Sequence, residues 1–299
     1  GYPVMLKAAS GGGGKGMRVV WTPDELEKVF QLASQEATRA FSDGTLYMER
    51  YLSQPRHVEF QLMADHHGNI VHLGDRDCSL QRRHQKLLEE TPSPGLSPEL
   101  RQKMGETAIQ AAKAVSYIGA GTVEFLLNSE GEFFFMEMNT RLQVEHGVTE
   151  MLTGTDLVRE QLLTALGNRL SWRQKNIRSQ GHVLEIRINA EDPSRNFLPC
   201  PGRVQNYLPP GGPGIRVDSH LYSGYVIPPY YDSMLAKIIV QGASREQAIA
   251  RARGALQELV IEGVTTNRDF ALQLLSMPDF VSGNYHSSTV EEKIKAGEL

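Results

Sequence analysis

At 299 residues, with 40% hydrophobic and 22% charged side chains, the chain has the composition of a globular protein of one large domain or two. A net charge of −4 and a pI near 6.2, with no basic run, argue against a nucleic-acid surface. No apolar run approaches the ~20 residues of a membrane span, and Cys78 and Cys200 supply neither a disulfide framework nor a metal spacing, so a reducing compartment is expected.

The chain opens without Met, and Gly1 to Lys7 reads as the entrance to a strand, so the sequence is expected to be a piece that has lost an N-terminal portion. A short strand, Val4 to Ala8, carries Lys7 and leads into Ser10-Gly11-Gly12-Gly13-Gly14-Lys15-Gly16. Four successive glycines cannot hold a helix or strand. They form either a flap whose bare N–H groups wrap an anion or a flexible linker. Met17 to Trp21 continues as a strand. Thr22-Pro23-Asp24-Glu25 has the form of a capping box, and Leu26, Val29, Phe30, Ala33, Ala37 and Phe41 give the stripe of the helix behind it.

Strand Thr45 to Leu52 follows, and then one in which His57, Glu59 and Gln61 alternate with Val58, Phe60 and Leu62, the pattern of one wet face and one buried face. The run Arg76 to Lys86 is basic and polar where a strand should alternate. It either lines a charged cleft or is a solvated edge strand. Ser97 caps a helix with the stripe Leu100, Met104, Ala108, Ala111 and Val115.

The densest chemistry follows. Strand-like runs Thr122 to Leu127 and Phe133 to Met138 flank a turn, and a two-residue loop at Glu130-Gly131 would set Glu124 opposite Glu137. Like charges facing each other there call for something positive between them. With Asn139 they make an all-oxygen set suited to Mg²⁺ or Mn²⁺ carrying phosphates; the alternative is a solvated hairpin face. Seven polar groups lie within Glu137 to His146. Beyond them, Thr155 starts a helix with Leu157, Val158, Leu162 and Leu166 buried and Gly167 as its stop. A polar linker spans 170–180, strand His182 to Ile188 puts Glu185, Arg187 and Asn189 on one face, and Ser244 and Asn267 cap later helices.

Lys7 with Gly11 to Met17, Pro55 to Glu59, Arg76 to Lys86, Glu137 to Glu145, and Arg187-Ile188-Asn189-Ala190-Glu191-Asp192-Pro193 occur in this order and together closely resemble the biotin carboxylase family. The resemblance implies an α+β chain with an ATP-grasp fold, a small lid lobe plus an antiparallel-sheet catalytic lobe, followed by the biotin carboxylase C-terminal region. The implied boundaries are a lid at 1–52, a catalytic core at 53–169, the linker, and the C-terminal region at 181–299. It implies MgATP-dependent activation of bicarbonate to carboxyphosphate and transfer of the carboxyl to N1′ of biotin on a carrier protein. By motif, ATP is contacted by Lys7, Gly12, Gly13, Gly14, Met17, Glu49, Arg50, Leu52, His57, Gln81, His84, Lys86, Glu124 and Glu137. Metal is held by Glu124, Glu137 and Asn139, and bicarbonate and biotin by Arg141, Gln143, Val144, Glu145 and Arg187. Glu145 resembles the base, Arg187 the group that steadies the biotin enolate, and Arg141 and Lys86 complete the catalytic set.

The implied partners are a biotin carboxyl carrier protein or domain, a carboxyltransferase and a second copy of the chain. The implied location is the cytoplasm, or an organelle matrix or stroma, in a system such as acetyl-CoA carboxylase of fatty acid biosynthesis. Arg50 stands where many members have Lys, and Gly147 where most have Pro, which is expected to loosen the segment after Glu145. Two other functions are compatible with parts of the pattern: a carbamoyl-phosphate-type ATP-grasp ligase, and a non-catalytic nucleotide-binding chain.

Overall fold

The computed structural model describes residues 1–11 and 16–299. The expected phosphate contacts Gly12, Gly13 and Gly14 lie outside the described residues. By contacts the chain divides into two compact units, one of residues 1–54 with 82–85, the other of 55–81 with 86–299.

In the first unit, β1 (Val4–Ala8) lies between β2 (Met17–Val20) and β3 (Leu46–Arg50), both antiparallel to it. Helix α1 (Leu26–Phe41) lays Leu26 and Val29 on Val4, Leu6 and Val20. The expected capping box does not form: Thr22 makes no side-chain cap, and Glu25 accepts from the Trp21 backbone N–H, at 3.1 Å, in place of that of Thr22.

The second unit is built on one eight-stranded sheet, helices packing against it. Its strands are β4 (Arg56–Ala64), β5 (Ile70–Arg82), β6 (Gln85–Thr91), β7 (Gly119–Leu127), β8 (Phe133–Asn139), β9 (His182–Asn189), β10 (Ile215–Ser219) and β11 (Met234–Gly242). Their order is β10-β11-β9-β6-β5-β4-β7-β8. The basic run therefore belongs to two interior strands and not to an edge.

Alternation in β4 sends Val58, Phe60 and Leu62 onto Met104, Ala108 and Ala112 of α2 (Pro98–Ala114). Each such side chain, fully buried, contributes on the order of 1.5–3 kcal/mol. The stripe of α2 is read correctly to Ala108 and then slips, since Ala112 is buried and Val115 is 66% exposed. In β9 the residues Leu184, Ile186 and Ile188 pack with Ala248, Ala252 and Leu256 of α5 (Arg245–Glu258). Ser244 caps α5 at 3.3 Å on the Gln247 N–H.

The polar face of β4 departs from the expectation of a wet surface, and that of β9 is covered as well. His57, Glu59, Gln61 and Glu185 are as buried as their apolar neighbours, because other polar groups and α3 (His146–Thr153), a helix the sequence reading missed, cover them. Val148 and Leu152 of α3 pack on Val183 and Ile239. Gly147 lies in the first turn of α3, buried, where a Cβ would press on Ile239, so the residue expected to loosen a loop sits inside a packed helix.

Three further expectations are corrected. Helix α4 (Leu157–Ala165) is capped by Asp156, which accepts from the Arg159 N–H at 2.8 Å, and begins two residues after Thr155. Only Leu157 of its stripe is buried, Leu162 and Leu166 being 61% and 79% exposed, since α4 presents a single row to the sheet. Asn267 precedes α6 (Arg268–Leu274) without a side-chain cap. Its amide instead donates to the Arg187 carbonyl at 3.0 Å and accepts from the Asn189 N–H at 2.8 Å, clamping β9.

Candidate active site

The site grows from the buried cation Arg76 on β5. Its guanidinium donates to Glu59 Oε1 at 2.6 Å, Gln61 Oε1 at 2.8 Å, Thr149 Oγ1 at 3.0 Å, Gln143 Oε1 at 3.0 Å and Thr122 Oγ1 at 3.3 Å. Five donors in a fixed fork are what guanidinium offers, and here each meets an acceptor. Arg76 thus ties β4, β5, β7, α3 and the segment before α3 together.

Lys86, on β6, is the second hub. Its ammonium donates to Glu59 Oε2 at 2.8 Å and Glu124 Oε1 at 3.5 Å and pairs with Glu145 Oε1. The other Glu145 oxygen accepts from Arg187 at 3.0 Å. Burial pushes the Glu145 carboxyl up and so does Glu59, but Lys86, Arg187 and Arg76 outweigh them and hold it below the ordinary carboxylate range. Burial works against the charge of Lys86, and the surrounding carboxylates keep its pKa well above the usual lysine value. Glu145 and Lys86 are therefore an ion pair at neutral pH. Arg141, which could have neutralised Glu145, is exposed and reaches Asn139 Oδ1 and the Leu142 carbonyl instead, at 3.4 and 3.3 Å.

Glu124 and Glu137 face each other across β7 and β8. Glu124 is buried, and accepts from His57 Nε2 at 2.8 Å, Gln143 Nε2 at 2.8 Å and Asn139 Nδ2 at 2.9 Å. Burial raises its pKa, yet the His57 bond and charge, Lys86 and Gln143 carry it below the ordinary range. The amide nitrogen of Asn139 also lies 3.4 Å from Glu137 Oε1, so its hydrogens stand where the two carboxylates converge. A hard cation fits this donor set, because turning the Asn139 amide would replace a donor by a third oxygen. His57, Glu59 and Glu124 also lie within 4.8 Å of one another, but Glu59 is already neutralised by Arg76 and Lys86 and His57 is spent on Glu124.

Of the other residues singled out in the sequence, Gln143 is buried as a bridge between Arg76 and Glu124, and the Val144 carbonyl accepts from Lys237 at 2.6 Å. Gln81 is buried on β5. In the first unit Lys7 pairs with Glu49 at 2.5 Å, Met17 stands opposite Lys7 and Arg50 opposite Val4, Leu52 follows β3, and His84 turns with φ 65°. The reading from sequence gave no role to Glu59, Gln61, Arg76, Glu89, Glu185 or Lys237, all charged or polar groups that these strands bury or half-bury. Glu59, Gln61, Glu185 and Lys237 alternate with apolar neighbours, which reads equally well as a solvated face, whereas Arg76 and Glu89 stand beside further polar residues where no alternation marks them.

Residues 1–173 match the carbamoyl-phosphate synthase L chain ATP binding domain, and residues 185–292 the biotin carboxylase C-terminal domain. A biotin carboxylase from Nostoc sp. is 55% identical over 295 residues, which cover 99% of this chain and 66% of that protein. Two solved structures are similar to nearly the whole chain. One is a biotin carboxylase-β-γ-ATP complex from Campylobacter jejuni, with 50% identity, a TM-score of 0.95 and coverage of 98% of this chain and 65% of that one. The other is the biotin carboxylase domain dimer of the Hydrogenobacter thermophilus 2-oxoglutarate carboxylase, in complex with MgADP, ADP and bicarbonate. It has 45% identity and a TM-score of 0.96, and covers all of this chain and 66% of that one. The chain thus spans just under two thirds of the length of these three relatives.

Proposed function

Because the chain belongs to the biotin carboxylase family, we propose that the protein carrying it uses ATP and bicarbonate to carboxylate biotin held on a carrier protein or domain. A carboxyltransferase takes the product, and the enzyme works as a homodimer, as the Hydrogenobacter relative crystallised. The observation that carries this reading is the single carboxylate of Glu145 held between two cations, Lys86 on one oxygen and Arg187 on the other.

Glu145 is the general base. It is ionised at neutral pH and follows Arg141, whose exposed guanidinium has the planar fork that matches an oxyanion. A bicarbonate oxygen attacks the γ-phosphorus, the P–O bond to ADP breaks, and the bicarbonate proton passes to a Glu145 oxygen. Substrate anions compete for Lys86 and Arg187, so the basicity of Glu145 rises when they are in place. The carboxyl group then moves to N1′ of biotin as phosphate leaves and takes up the N1′ proton, with Arg187 steadying the enolate oxygen. Glu124, Glu137 and the amide oxygen of Asn139 would hold Mg²⁺ or Mn²⁺, which when bound neutralises the nucleotide's phosphates. Phosphoryl transfer asks for such positioning and charge neutralisation more than for covalent help.

ADP release measured with and without bicarbonate, and with and without free biotin, tests the proposal. It expects bicarbonate dependence and further stimulation by biotin. Carbamate formation from ammonia, or nucleotide binding without turnover, would contradict it.

A further inference from the structure

Glu185 on β9 and Glu89 on β6 are direct cross-strand partners, both fully buried. Arg187 spends its Nε, at 2.7 Å, and one terminal nitrogen, at 2.5 Å, on the same oxygen of Glu89, Oε1. Among the described residues, Glu89 Oε2 is left buried without a donor, and neither oxygen of Glu185 has one. A buried carboxylate in that condition has lost its hydration with nothing in its place. Two carboxyl groups lie side by side with three orphan acceptor oxygens, and one proton between them satisfies two of the three. A protonated Glu185 becomes a donor, and directly opposite stands an acceptor with nothing to accept.

We propose that Glu185 is a positioning residue, a neutral acid that donates its proton to Glu89 Oε2 and thereby holds Glu89 where it fixes Arg187 against Glu145. This rests on the assignment of Glu145 and Arg187 above. The groups facing Glu185 are consistent with it. Glu89 comes from β6 and Arg187 from β9 itself. Lys237 of β11 is 3.9 Å away and is shared with Asp218 of β10 and the Val144 carbonyl, and Glu145 lies just ahead of α3. The first turn of α3 closes over the carboxyl: a Cβ at Gly147 would come 3.5 Å from Glu185 Oε2. Burial pushes the Glu185 carboxyl well up, and the neighbouring Glu89 charge acts in the same direction. Burial raises Glu89 as well, against the pull of Arg187.

Deprotonating the pair sets two carboxylates against each other and loosens the grip on Arg187. The protein then loses carboxylation on the alkaline side, about tenfold per pH unit beyond the titration of the pair. Glu185→Gln is always neutral and always a donor, so it retains activity but lacks this alkaline limb.

Infrared difference spectroscopy on the 299-residue chain reads the proton without any turnover. It should show a protonated-carboxyl C=O band at neutral pH that Glu185→Gln removes. If Glu185→Gln fails to fold, Glu185→Met, of similar volume and without an acid, must remove the same band. A band unchanged in the variant, or an identical alkaline limb in parent and Glu185→Gln, would overturn the proposal. Loss of the band from a chain that shows no carboxylation would support the shared proton and count against the function it serves.

Discussion

Glu124 stands directly opposite Glu137 across β7 and β8, although the turn between them is not the two-residue loop that would give this pairing. Asn128 N–H closes on the Glu132 carbonyl at 3.0 Å, leaving Ser129, Glu130 and Gly131 as a three-residue loop with Gly131 at φ 81°. That longer loop shifts the pairing by one, to Phe125 with Phe135. A bulge that skips Met136 shifts it back, so Glu124 meets Glu137 and Thr122 meets Asn139.

This pairing sets the expected behaviour of Glu137→Gln. The variant should weaken Mg²⁺-dependent ATP binding, while the metal-free fold is unchanged or gains up to roughly 1 kcal/mol as cross-strand repulsion is relieved. Titrating nucleotide with and without Mg²⁺ checks it; equal metal dependence in parent and variant would remove Glu137 from the cation set.

Arg76→Met should destabilise the protein by about 3–5 kcal/mol, because it strands Glu59, Gln61 and Gln143 in the interior without their donor. Arg76→Lys should recover only part of this loss, since three donors on a flexible stem cannot replace five in a fork. Urea midpoints of the three proteins measure both effects. A Met variant as stable as the parent would mean that the buried network relaxes without its hub.

What could be read from the sequence was local. The hydrophobic periods of α1, α2 and α5, the caps at Ser97 and Ser244, and the strand-turn-strand holding Glu124 and Glu137 depend on neighbours within a few residues. The site depends on partners far apart in the chain. Arg187 meets Glu89 only because β9 adds to the sheet beside β6, Lys86 meets Glu145 across 59 residues of chain, and no spacing announces either. The same gap explains Asn267, whose position reads as a cap while its amide serves a strand 78 and 80 residues away. It also explains Glu59 and Gln61, which look solvated until Arg76 is placed beneath them.

Stability should fall on acidification with a definite sign. Glu59, Glu124 and Glu145 are each buried, which raises their pKa values, yet neighbouring cations and hydrogen bonds bring them below the ordinary 4.5 in the folded state. Depressed carboxyl groups stabilise the fold fully above their unfolded pKa and lose that contribution as pH falls through the folded one. Denaturation midpoints followed downward from pH 4.5 should therefore drop, and drop less in Glu124→Gln, whereas Glu185, whose folded pKa is raised, acts in the opposite sense between neutral pH and 4.5. A parent whose stability is flat across that range would contradict the charge assignment.

The most direct measurement is the rate of bicarbonate-dependent ATP cleavage by Glu145→Gln at saturating MgATP, set beside Arg187→Ala with and without biotin. A positioned general base contributes typically ~10²–10⁴-fold. Glu145→Gln should keep MgATP affinity and lose activity by a factor in that range, whereas Arg187→Ala should retain much of the biotin-independent cleavage and lose carboxylation. If Glu145→Gln cleaves ATP at the parent rate, Glu145 is not the base.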